Sequence, residues 1–247
     1  MNAPVAQPLD ARSRPSPPAE ADEAERIRSA YARRRGEERY SWFEPAYLFH
    51  MQECERAMLD ALRGAGVRSL APARILEVGC GRGFWLRQLV QWGAAPERIV
   101  GIDVIPERVH EAAWRSARGV SLAVGSGASL PLPDAAFDVV LQSTVFTSIL
   151  DPTLRARVAA EMRRVLRPGG LILWYDFAVD NPRNPDVRGV GRGEVHRLFP
   201  GCRVALRRVT LAPPLARRLA PRALWLCRLL TVLPPLRTHL LGTIRPQ

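Results

Sequence analysis

From residue 73 to residue 176, short apolar runs alternate with stretches in which apolar positions return every three or four residues. The runs at 74–78, 99–102, 120–124, 137–142 and 171–175 have strand length. The stretches at 84–92, 106–116 and 153–166 have helical period, the first ended by Gly93 and the last by Pro168-Gly169-Gly170. Strands that are nearly apolar throughout are buried on both faces, so this alternation predicts a parallel α/β sheet with helices on both sides.

Outside this centre the pattern loosens. Residues 20–35 are rich in Glu, Arg and Ala, with Ile27 and Tyr31 four apart on one helix face. A second helix is expected over 45–62, with Leu48, Met51, Cys54, Glu55, Met58 and Leu62 as its stripe and Gly64 and Gly66 as its end. After the centre come an Asn-, Pro- and Arg-rich loop at 180–192, a strand at 203–210, a proline-bounded helical segment at 213–233 and an apolar run at 239–244. Five prolines among residues 1–19 predict a loose tail. The expected organisation is therefore a tail at 1–19, a helical lid at 20–66 and an α/β domain at 67–247 with a helical insertion at about 213–235.

Composition changes this picture in three ways. All basic residues are arginine, 36 Lys+Arg against 24 Asp+Glu for a net charge of +12. This is read first as a coding bias and a solvated basic surface, so nucleic acid is not the expected partner. Without lysine, no Schiff base or lysine general base can operate. The four cysteines have neither CxxC nor zinc-ligand spacing and no apolar run is long enough to span a bilayer, so a reducing, cytoplasmic setting without a metal is expected.

The sharpest motif is Glu77-Val78-Gly79-Cys80-Gly81-Arg82-Gly83. A strand must turn there into a helix, and glycines let both the chain and a ligand come close. The spacing is GxGxG, not the GxGxxG of a dinucleotide loop, and the Glu77 carboxylate in the turn would repel a diphosphate but accept a sulfonium or an amine. Twenty residues beyond Gly83, Asp103 ends the next strand, placed either to accept ribose hydroxyls or to cap the following helix.

With these residues, the segment Leu130-Pro131-Leu132-Pro133-Asp134-Ala135-Ala136-Phe137-Asp138 and Leu166-Arg167-Pro168-Gly169-Gly170, the chain resembles the class I S-adenosylmethionine-dependent methyltransferases. The resemblance implies a Rossmann-like seven-stranded sheet whose last strand, at about 239–245, is antiparallel. It also implies S-adenosylmethionine as cofactor and S-adenosylhomocysteine as product. Gly79, Gly81 and Gly83 would line the methionine moiety, Glu77 would orient its amino group and Asp103 would hold the ribose, with Cys80, Val104, Ala128 and Gln142 around them. Many members have Gly-Asp-Ala where this chain has Gly125-Ser126-Gly127, so adenine would meet the uncharged Ser126 and the backbone of Gly127 and Ala128. Stretches such as 40–49, 142–151 and 181–190 are also similar to a narrower bacterial group, some of it found with glycan or natural-product genes.

Ligands of an open α/β sheet sit past the C-terminal strand ends, so an acceptor should meet residues 142–147 and 175–184, among them Thr144, Phe146, Tyr175, Asn181 and Arg183. Tyr40, Trp42, Phe43, Tyr47 and Phe49 crowd into ten residues and suit either a water-excluding lid or core filling. Methyl transfer needs alignment and, for a protonated nucleophile, a base. His50, His196 and Asp176 are the candidates, while His110 is expected at the surface. No NPPY-type motif stands in the fourth strand, which disfavours exocyclic base methylation. Arg217, Arg218, Arg222 and Arg228 alternate with Leu219, Trp225, Leu226, Leu229 and Leu230 in a segment suited to a pocket cap, a homodimer interface or an anionic membrane surface, the cap being preferred.

The expected activity is methylation of oxygen or nitrogen on a small acceptor in secondary metabolism. The alternatives are a saccharide or lipid-linked acceptor at the membrane face, and a cofactor-binding protein without chemistry.

Overall fold

The computed structural model describes residues 18–33 and 37–247. Seven strands form one sheet: β1 (Ile75–Val78), β2 (Ile99–Asp103), β3 (Ser121–Val124), β4 (Phe137–Ser143), β5 (Leu166–Phe177), β6 (Cys202–Leu211) and β7 (Arg237–Pro246). Their order is β3-β2-β1-β4-β5-β7-β6. The first five pair in parallel, and β7 is antiparallel to both β5 and β6. This is the doubly covered sheet with an antiparallel last strand that the alternation and the resemblance together imply.

Eight helices accompany it: α1 (Pro18–Ala32), α2 (Pro45–Gly64), α3 (Phe84–Gln91), α4 (Pro106–Arg115), α5 (Pro152–Val165), α6 (Arg192–Leu198), α7 (Pro213–Leu219) and α8 (Leu224–Thr231). Successive strand residues point to opposite faces, so Ile75 and Leu76 enter different cores. Met58, Leu62, Trp85, Leu86, Leu89 and Val109 from α2, α3 and α4 pack on Ile75, Val139, Leu141 and Leu173. Leu154, Val158, Met162 and Val195 from α5 and α6, with Phe199 just past α6, pack on Leu76, Val78, Val140, Ile172 and Trp174. A leucine buried as fully as Leu86 costs about 2–5 kcal/mol when cut to alanine, so both layers hold the strand ends in place.

Several expectations shift. The expected tail at 1–19 lies outside the described residues up to 17, and α1 already starts at Pro18. The end of the first helix, expected at 35, falls at Ala32, and 34–36 are outside the described residues. The helix expected over 153–166 ends within one residue of that bound, but Pro168-Gly169-Gly170 lies inside β5. The helix closes at Val165, and Leu166 already pairs with Phe137, because β4 offers a strand edge that far down. Helix α6 was not expected, since its seven residues carry only Val195 as a buried anchor. The segment at 213–233 breaks into α7 and α8 around Pro221. On α2, Leu48 faces outward while Ala46 and Phe49 turn inward, because α7 grips that end of the helix; Ala46, Phe49, Leu211, Ala216, Ala220 and Cys227 form a small third core. The described part of the region expected as a lid is thus of two kinds: α2 is a structural layer, and α1 lies over the strand ends.

Candidate active site

The turn from β1 to α3 is made by Gly79, Gly81 and Gly83, all with left-handed φ of 72°, 51° and 72°. At Gly79 a Cβ would stand 2.3 Å from Val145 Cγ2, and at Gly83 one would press on Ser116 Oγ and Ala112 Cβ at 3.0 and 3.1 Å. Backbone amides then tie the turn to β2. Gly79 N and Cys80 N donate to the Ile102 carbonyl at 2.7 and 3.0 Å, and Gly81 N donates to Asp103 Oδ2 at 2.8 Å. The second Asp103 oxygen accepts from Ile105 N at 2.9 Å. Asp103 therefore anchors the glycine turn and, through Ile105 N, braces the chain that leads into α4.

Glu77 is buried beneath this turn, and its Oε2 has no hydrogen-bond partner among the described residues. Burial, reinforced by the charge of Asp103, holds its carboxyl well above the usual range. Burial likewise raises Asp103, against the pull of the Ile105 and Gly81 amides. An unsatisfied buried carboxyl oxygen carries a penalty that a cationic partner would relieve. The residues thus fit an amino-acid ammonium at Glu77 and a ribose at Asp103, beside a turn from which side chains are excluded.

The remaining positions with an implied cofactor role divide. Gly125 N donates to the Asp103 carbonyl at 3.0 Å, and Ser126 Oγ accepts from Ala128 N at 3.1 Å, so 125–128 is a self-braced loop beside β2. Gly127 lies against Val78 and Val158, Ala128 is buried, and Val104 is half-buried next to Asp103. Cys80 is buried, which pushes its thiol up and leaves it a packing residue. The Gln142 side chain is fully buried, donating to the Tyr175 carbonyl at 3.3 Å and accepting from Val145 N at 3.2 Å, so it braces the strand end. Thr144 holds a left-handed φ of 58° next to Val145. Phe146 is wholly buried against Trp174 and Phe199, which makes it a core residue and corrects its expected contact with an acceptor.

Helix α1 crosses above the strand ends. On one side the Arg108 guanidinium sits 3.8 Å from the centre of the Tyr31 ring. On the other, Arg26 donates to the Ser148 carbonyl at 2.5 Å, Glu23 accepts from Leu150 N at 2.6 Å and Arg33 pairs with Asp186. The rings after α1 form a second wall. Tyr40 and Trp42 pack edge-on against Tyr47, and Trp42 reaches Phe84, the first residue of α3 beside the glycine turn. Phe43 points away at 97% exposure and does not join them.

One helical turn beyond Tyr47, half-buried His50 faces β5. Its Nε2 is 3.1 Å from the Tyr175 hydroxyl, which is also 3.5 Å from Thr210 Oγ1. Thr210 Oγ1 lies 2.6 Å from His239 Nδ1, and the His239 ring stacks on Tyr175 at 4.8 Å. Four residues from α2, β5, β6 and β7 thus make one polar chain. Burial pushes His50 down to about 4 and His239 well below its usual range, and it holds the Tyr175 phenol well above its own. Burial thus favours the uncharged form of both rings, and His50 stands as a neutral hydrogen-bonding imidazole.

The other candidates stand elsewhere. Asp176 is fully buried on the opposite sheet face; Thr147 N, Thr147 Oγ1 and Phe177 N all donate to it, and burial pushes it up to about 7. It clamps the loop after β4, with no oxygen offered to the crevice. His196 is exposed in the last turn of α6, as His110 is on α4. Asn181 and Arg183 are exposed and joined by an Asx turn, Arg183 N donating to Asn181 Oδ1 at 3.1 Å. Thr210, His239, Tyr31 and Arg108 were not singled out as site residues. The spacing of Arg108 after Asp103 was the one available signal, whereas the others are joined only by long-range packing.

A family model described as a methyltransferase domain matches residues 76–174. Among relatives, the chain is 36% identical over 124 residues to a malonyl-[acyl-carrier protein] O-methyltransferase of Serratia marcescens, covering 50% of this chain and 46% of the relative. It is 40% identical over 102 residues to a nocamycin O-methyltransferase of Saccharothrix syringae, covering 40% of this chain and 35% of the relative. The matches therefore span between about a third and a half of those relatives' lengths. Among solved structures, the 1,6-didemethyltoxoflavin-N1-methyltransferase of Burkholderia thailandensis shares the fold, with a TM-score of 0.61, 20% identity, and coverage of 100% of this chain and 97% of that one. The family match takes in β1, the glycine turn, Asp103 and the loop at 125–128, whereas His50, Tyr175, Thr210 and His239 lie outside it; over residues 76–174 the chain carries a class I S-adenosylmethionine-dependent methyltransferase domain.

Proposed function

We propose that this chain transfers a methyl group from S-adenosylmethionine to an oxygen or nitrogen of a small acceptor in biosynthesis, with His50 as the base. The single observation carrying the cofactor half is the buried, unpaired Oε2 of Glu77 beside the glycine turn. When bound, the cofactor supplies an electrophilic methyl on a sulfonium whose charge disappears on transfer. Glu77 would hold the ammonium, Asp103 the ribose, and Ser126 with the backbone of Gly127 and Ala128 the adenine. Helix α1 and the Tyr40–Trp42–Tyr47 rings exclude water from the strand ends. His50 takes the acceptor's proton on a ring kept neutral by burial and oriented by Tyr175, which is in turn fixed by Thr210 and by stacking on His239. Two relatives that are O-methyltransferases by name, one for a natural product, support an oxygen acceptor.

The test is calorimetric. The protein should bind S-adenosylmethionine and S-adenosylhomocysteine and leave NAD unbound. Glu77→Gln and Asp103→Asn should each weaken binding by roughly 1.5–3 kcal/mol, the worth of a hydrogen bond to a charged group. Parent-like binding by both variants would overturn the assignment. A panel of phenols, carboxylates and amines then reports whether oxygen or nitrogen is methylated. Acceptors at a membrane face are the second reading, favoured by the exposed surface of α8.

A further inference from the structure

Helix α8 buries only Cys227. Trp225 and Leu229 stand at i and i+4 on α8, Val232 and Leu233 follow just past its last turn, and together they make an outward apolar stripe, Trp225 at 68% exposure and Val232 at 66%. The inner side of this segment caps the fold, Ala216 of α7 and Cys227 of α8 joining Ala220, Phe49 and Leu211 in the third core, and leaves the outer side of α8 uncovered. Arg228 stands on α8, with Arg217 and Arg218 on α7 and Arg222 in the turn between them; all are exposed, and among the described residues none of them pairs with a carboxylate. Just past Leu233 a cleft of about 430 Å³ continues the same edge, lined by Arg192, Arg208 and Arg237 with no acidic residue. A contiguous exposed apolar stripe on a soluble surface needs a cover.

We propose that α8 docks on an anionic lipid bilayer, with its apolar stripe among the acyl chains and its arginines at the headgroups. Charge complementarity selects this occupant. A second copy related by a twofold axis would bring the same arginines face to face. The stripe is the convex side of a two-turn helix set between prolines, a shape that a deformable bilayer accommodates without a matching groove. Among the described residues no helix is long and apolar enough to cross a membrane, so the contact is peripheral. The inference goes beyond the methyl-transfer reading and does not depend on it, because its test reads binding.

Full-length protein is sedimented with vesicles of phosphatidylcholine alone or mixed with phosphatidylglycerol. Sedimentation should require the anionic lipid and fall at least about tenfold between low and high salt, as screening shortens the reach of the arginines. Trp225→Ser with Leu229→Ser should weaken binding about tenfold or more at unchanged charge. The melting temperature should stay within about 2 °C, since exposed side chains contribute little to stability. Changing Arg217, Arg218, Arg222 and Arg228 to glutamate should abolish binding. The proposal is overturned if the parent binds neither vesicle, or binds both equally. A stripe variant that loses many degrees of thermal stability would make α8 a cap. A dimer that dissociates on Trp225→Ser, or capture of an acidic protein in place of vesicles, would assign the stripe to protein.

Discussion

The two ends of the sheet build their chemistry from different materials. At the β1–β2 end, the site is made mostly of backbone: glycines in left-handed conformations and amides aimed at the Asp103 carboxylate, with Glu77 beneath them. At the β5–β7–β6 end, it is made of side chains, with His50, Tyr175, Thr210 and His239 brought together from positions up to 189 residues apart. A site of the first kind is fixed as soon as one turn forms. A site of the second kind exists only when four elements have packed.

The largest expected break of this comparison is at Gly79. Gly79→Ala adds left-handed strain of about 1–3 kcal/mol and a Cβ 2.3 Å from Val145. Calorimetry should show cofactor affinity down on the order of 100-fold or more. Gly64→Ala, where a Cβ meets open space at the end of α2, is the control that should bind like the parent.

At the other end, His50→Gln and Tyr175→Phe should lower turnover by roughly 10²–10³-fold, the worth of a positioned base. Affinity for S-adenosylhomocysteine should stay within about twofold of the parent. Equal losses of turnover and cofactor affinity would mean that the two ends are one unit.

A smaller effect separates the ends by pH. Because the Glu77 carboxyl is held well above its usual range, it binds a proton that an arriving ammonium displaces. Cofactor affinity should therefore rise with pH through that range, with proton release measurable in buffers of different ionisation enthalpy. Glu77→Gln should remove the dependence, whereas His50→Gln should leave it intact.

The smallest effect is on stability. His50 titrates near 4 when folded and 6.5 when unfolded, so its contribution is present above pH 6.5 and lost as pH falls toward 4. Asp176 works in the opposite sense: its folded value of about 7 makes the native state hold a proton that the unfolded chain releases, so stability falls as pH rises from about 4 to 7. Chemical denaturation of His50→Gln should expose that fall, and Asp176→Asn should remove it.

What could be read from the sequence follows the same division. Period and glycine spacing are local properties, so the strands, the turn, Glu77 and Asp103 were all legible. Asp176 looked well placed because it follows a strand, but strand parity sends it to the face opposite Tyr175 and into the loop after β4. Phe146 was misread for a similar reason, its loop folding inward onto Trp174. His239 was visible only as the start of a strand. Its role depends on which strand lies beside β5, which the order of the chain does not reveal.

That order has a consequence for how the protein is made. Strand β7 leaves the ribosome last of the seven, yet its place is inside the sheet, between β5 and β6. A nascent chain can close the glycine turn early, from neighbouring segments, while the edge of β5 waits for its partner. Until residues 237–246 emerge and insert, the Tyr175 ring has no imidazole to stack on, and Thr210 has none to bond. The glycine turn can thus form during synthesis, whereas the polar chain of His50, Tyr175, Thr210 and His239 is completed only by the final insertion.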